Sequence, residues 1–108
     1  MYKVTLLHDA RLDMKRLFAY ISADNTLAAK KLRDQLHRKM AGLATFPFKY
    51  PAIAQDDILG NESEYRYVSV GAYLIFYQVL ESENEVVILR VLHSRQNWLQ
   101  VLFGFNET

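Results

Sequence analysis

Four residues of the 108-residue chain could bind an anion or move a proton from an otherwise apolar setting: Arg66, Arg90, His93 and Arg95. Arg90 stands inside the run Val86-Val87-Ile88-Leu89-Arg90-Val91-Leu92. An arginine in such a strand must reach an exposed face or pair with an acid, because burying it alone costs several kcal/mol. Two readings stay open. One is a structural ion pair with a glutamate such as Glu62 or Glu64. The other is an anion-binding spot on the sheet face away from any helices. Tyr65, Tyr67, Tyr73 and Tyr77 lie close by in sequence. Strand tyrosines mostly pack, but beside arginine they can also contact phosphates and bases.

Other chemistries are excluded by type and spacing. There is no glycine-rich phosphate loop, no His-x-x-x-His pair, no Gly-x-Ser-x-Gly elbow and no acidic metal cluster. His8, His37 and His93 are too far apart in sequence to mark a metal site, and Asp56-Asp57 reads as a solvated loop. With no cysteine, a disulfide scaffold, a zinc ribbon and a thiol nucleophile are ruled out. Neither a metal nor a cofactor is expected.

Thirteen Lys and Arg against twelve Asp and Glu leave a net charge of +1, which rules out a strongly basic nucleic-acid binder of the histone type. The distribution says more. Residues 9–46 carry eight basic and four acidic groups, whereas residues 47–93 carry three basic and seven acidic ones. A basic first half can be a solvated helix surface or a docking surface for an acidic partner, with Lys30, Lys31, Arg38 and Lys39 as the docking candidates. The apolar stretches fall far short of the ~20 residues needed to span a membrane. The first residues read as a strand and not a signal peptide, so a cytoplasmic protein is expected.

The elements that must position these groups follow from periodicity. Residues 2–8 read as a strand. Ala10, Met14, Leu17, Phe18 and Ile21 form one helix face, with Asp9 as the expected N-cap. A second helix is expected from Thr26 as cap, with the stripe Ala29, Leu32, Leu36, Met40 and Leu43, stopped by Phe46-Pro47. About four residues should join the two helices in an antiparallel hairpin. Residues 47–64 read as an irregular loop. Three strands then follow, 65–70, 73–80 and 86–93, the first two joined by the tight turn Gly71-Ala72. Ser94 or Asn97 can cap a short final helix that Gly104 ends. The single domain, residues 1–108, is thus expected to be an α+β two-layer sandwich of order βααβββ, its helical hairpin on one face of a mostly antiparallel sheet. Arg66 and Arg90 fit badly under Met14, Leu17, Leu32 and Leu36. The guanidinium of Arg66 or Arg90 is therefore expected on the opposite face, with His93 and Arg95 near its rim.

Several segments in this order resemble the RelE/ParE superfamily of toxins from bacterial type II toxin–antitoxin systems. They are Asp9-Ala10-Arg11-Leu12-Asp13-Met14-Lys15-Arg16-Leu17, Tyr20-Ile21, Leu43-Ala44-Thr45-Phe46-Pro47 and Tyr65-Arg66. The chain continues with Val70-Gly71-Ala72-Tyr73-Leu74-Ile75-Phe76-Tyr77 and Ile88-Leu89-Arg90-Val91-Leu92-His93-Ser94-Arg95-Gln96. The resemblance covers nearly the whole chain and implies the same βααβββ order and a cognate antitoxin partner.

The superfamily divides by mechanism. RelE-like members are ribosome-dependent mRNA endonucleases, and ParE-like members poison DNA gyrase. Leu74 stands where many endonuclease members have an arginine, and no lysine occurs in residues 50–108. The Leu92-His93 ending is closer to the ParE-like branch. The resemblance therefore implies gyrase as the target, with Arg66, Arg90, His93, Arg95, Tyr73 and Tyr77 as contact candidates. The alternative is a ribosome-dependent nuclease acting on mRNA, with His93 as acid or base and Arg66 and Arg95 on the phosphate. A third possibility is a binding module without toxicity.

Overall fold

The computed structural model describes residues 1–53 and 64–104. The elements run β1 (Lys3–Leu6), α1 (His8–Asp24), α2 (Thr26–Gly42), β2 (Tyr65–Val70), β3 (Tyr73–Leu80), β4 (Glu85–His93) and α3 (Trp98–Phe103). A single 3₁₀ turn at Glu81–Glu83 joins β3 to β4. This is the expected α+β arrangement.

Helix-period stripes form the first layer. Ala10 and Met14 of α1, and Ala29, Leu36 and Met40 of α2, are buried. Leu43 continues the α2 stripe just past the helix end and is fully covered. The caps differ from expectation, by two residues at α1 and by one at α2. Leu7, not Asp9, holds the cap position of α1 and makes no side-chain bond. Asp9 lies in the first turn, where its charge faces the positive end of the helix. Asn25, not Thr26, caps α2, its Oδ1 accepting the Ala28 N–H at 3.0 Å. Asn25 is also the whole link between the helices, shorter than expected, and its extended backbone breaks the helical path. Helix α2 ends at Gly42, before Phe46-Pro47 is reached.

The sheet has strand order β1-β4-β3-β2. β1 runs parallel to β4, and the other neighbours are antiparallel. β3 is central and is buried on both faces at Ile75–Tyr77, as its largely apolar sequence requires. Ile75 and Tyr77 join Val68, Val70, Val86, Ile88 and Val91 in the core beneath the helices. Phe76 and Leu92 face the other way, where Ile53, Trp98, Leu102 and Phe103 cover them. Helix α3 thus closes the face that the hairpin leaves open. Asn97 caps it, and Gly104 ends it at φ 74°. Gly71 turns β2 into β3 at φ 57°, a left-handed conformation that glycine adopts without a Cβ clash.

Part of the stretch expected to be loop does pair. The Ile53 N–H donates to the Tyr65 carbonyl at 2.7 Å, and the Tyr67 N–H donates to the Pro51 carbonyl at 3.2 Å. Residues 51–53 therefore cover the first half of the β2 edge. Asp56, Asp57 and Glu62 lie outside the described residues.

Candidate functional site

Arg90 is placed by a β-bulge. Phe76 opposes Arg90 while Tyr77 opposes Ile88, so Leu89 is the extra residue. Strand β1 pairs only with Glu85–Ile88, which leaves the later half of β4 with an open edge. Asp13 of α1 closes that edge. Its Oδ2 accepts the Val91 N–H at 3.0 Å, and the same carboxylate takes two bonds from the Arg90 guanidinium, both 2.7 Å. The hydrogen bond to Asp13 holds the Arg90 pKa above its ordinary value and outweighs the opposing effect of burial. Arg90 is therefore not presented on the face opposite the helices. Its partner is an acid of α1, and Glu64 pairs elsewhere.

Arg66 also departs from expectation. It stands opposite Tyr77, whose side chain faces the helical layer. Its guanidinium donates to the Tyr50 carbonyl and to Glu64 Oε2, both at 2.7 Å, and lies 5.0 Å from the Phe48 ring centre. Its side chain is 15% exposed. The Glu64 pairing foreseen for Arg90 thus belongs to Arg66. Tyr77 is fully buried and donates its hydroxyl to the Pro47 carbonyl at 2.7 Å. Burial pushes the phenol up to about 12, against the pull of the Arg66 charge. Tyr77 is a core residue and offers no surface for a partner.

His93, Tyr73 and Arg95 do come together at one end of the sheet. Tyr73 opposes His93, and their rings meet edge to face at 5.2 Å. The His93 Nδ1 accepts the Arg95 N–H at 3.1 Å. The His93 N–H donates to Gln96 Oε1 at 2.8 Å, and the Ser94 N–H donates to the Ala72 carbonyl at 2.8 Å. With Nδ1 accepting, the neutral imidazole carries its proton on Nε2 and presents a donor there. Arg95 is exposed.

The four cationic docking candidates divide between two sides of α2. Arg38 and Lys39 line a groove of about 500 Å³ with Gln35, Ser69, Val70 and Gly71. Lys30 lines a second groove of about 360 Å³ toward α1, with Arg33 and Phe18 among its walls. Lys31 is exposed and lines neither groove. Sequence reasoning missed Asp13, and it also missed Phe48 and Tyr50. The signal for the latter pair was their alternation with Pro47 and Lys49 just after a basic helix.

The family model for the ParE toxin of type II toxin–antitoxin system, parDE, matches residues 4–98. The chain belongs to this family. It is a toxin-antitoxin toxin, and the family implies a cognate antitoxin as partner. A crystal structure of a metal-bound toxin from Helicobacter pylori is similar in fold, with a TM-score of 0.57 at 22% identity. The match covers 86% of this chain and 94% of that one. No curated protein matches. Among the described residues, no helix is long and apolar enough to cross a membrane.

Proposed function

We propose that this toxin arrests growth in the cytoplasm by protein–protein contact with DNA gyrase, and that an antitoxin with an acidic C-terminal segment holds it inactive. The observation that carries the reading is the engagement of the strand arginines. RNA cleavage needs a base with a free lone pair, an acid for the leaving oxygen and cations on the phosphate. Arg66 and Arg90 are each tied to a carboxylate. The Nδ1 lone pair of His93 is taken by a backbone N–H. What remains is a surface of Tyr73, His93 and Arg95, with a ring, a hydrogen-bond donor and an exposed cation. Such a surface fits a protein partner, where aromatic and arginine side chains anchor contacts.

Induced expression in a bacterial host tests this. Filamentous cells and a DNA-damage response, with translation continuing, are the expected outcome. Translation stopping within minutes, with cut mRNA, would overturn it in favour of the ribosome-dependent nuclease.

A further inference from the structure

The segment after α2 reads Phe46-Pro47-Phe48-Lys49-Tyr50, three rings in five residues. Two bonds from the sheet pin its backbone. The buried Tyr77 hydroxyl holds the Pro47 carbonyl, and the Arg66 guanidinium holds the Tyr50 carbonyl. Two of the three rings are nevertheless displayed, while Tyr50 packs partly against the core. Phe46 is 64% exposed and Phe48 is 45% exposed. Arg66 lies against the Phe48 ring, and Tyr2 meets it edge to face at 6.3 Å.

Cations flank the strip. Lys39 and Lys49 place their ammonium groups 5.7 and 5.6 Å from the Tyr50 ring centre. Arg38 lines the adjoining groove with Lys39. Neither lysine, nor Arg38, forms an ion pair among the described residues. Exposed rings on a fixed backbone beside unpaired cations are what a nucleic-acid strand requires, since its phosphates take the charges and its bases stack on the ring faces. An acidic peptide would use the cations but leave Phe46 and Phe48 without a flat partner.

We propose that Phe46, Phe48, Lys49 and Tyr50, with Arg38 and Lys39, form a binding strip for single-stranded nucleic acid. The choice of DNA over RNA rests on the gyrase reading, because gyrase holds DNA. The strip itself does not rest on it.

Fluorescence anisotropy with the full chain and a labelled oligothymidylate of about 12 nucleotides tests the strip without gyrase present. Three cations should give a slope of log affinity against log salt of about −2. Lys39→Gln with Lys49→Gln should reduce that slope to about −0.7 and weaken binding by about tenfold at low salt. Phe46→Ala should weaken binding about fivefold or more with the slope kept. Thermal melting confirms that each variant folds. Absence of salt-dependent binding, or equal binding by the variants, would overturn the strip. An oligouridylate of the same length bound more than about tenfold tighter would overturn the assignment to DNA.

Discussion

Tyr77 donates its hydroxyl to the Pro47 carbonyl from a position with no exposure, and burial raises its pKa to about 12. A raised acid favours the protonated, folded form. Above the ordinary tyrosine value of about 10, the unfolded chain loses this proton while the folded chain keeps it. Stability should then fall by about 1.4 kcal/mol per pH unit between roughly pH 10 and 12. Denaturant melts across that window measure the slope, and Tyr77→Phe should flatten it at the cost of about 1 kcal/mol at neutral pH. Arg90 gives a second test. Asp13→Ala leaves a guanidinium and the Val91 N–H without their acceptor, and should cost about 2–4 kcal/mol. Replacing Arg90 with Met in that variant should recover part of the loss. That Arg90 needed an acid was legible in the sequence. The identity of the acid was not, because Asp13 lies 77 residues earlier and reaches it only through the packing of α1 against β4.

At the scale of elements, side chains finish what backbone pairing leaves open. Asp13 and Gln96 accept the Val91 and His93 N–H groups along the β4 edge beyond β1. That blocks an open strand from pairing with another chain. Asn25 does similar work at the start of α2, and Asn25→Ala should lower stability by about 1 kcal/mol. Urea melts of the variant check this. The helix stripes were legible because their apolar positions recur at three or four residues and most of them face the core. The cap positions were not, since Asp9 and Thr26 are both capping types next to the true starts, and Leu7 is not one. The bulge at Leu89 leaves no mark in composition, because it exists only in the register between β3 and β4. Arg90 was misplaced for a different reason: a charge fits badly under apolar helix stripes, and the stripes do not show that Asp13 stands among them to pair with it.

Over the whole molecule, the basic half folds into the hairpin and the acidic half supplies most of the sheet. The order of the elements was readable from hydrophobic period and turn residues, while the surface that meets the target was not, since partner recognition leaves no periodic signal. Replacing Lys30, Lys31, Arg38 and Lys39 with Gln should slow antitoxin association and flatten its salt dependence, as measured by stopped-flow mixing. Unchanged rate and slope would remove the docking role. The gyrase reading is tested most directly by adding the purified toxin to purified DNA gyrase and relaxed plasmid, and measuring supercoiling. Loss of supercoiling at near-stoichiometric toxin, restored by the cognate antitoxin, is the expected result. Full supercoiling with the toxin in large excess would contradict it.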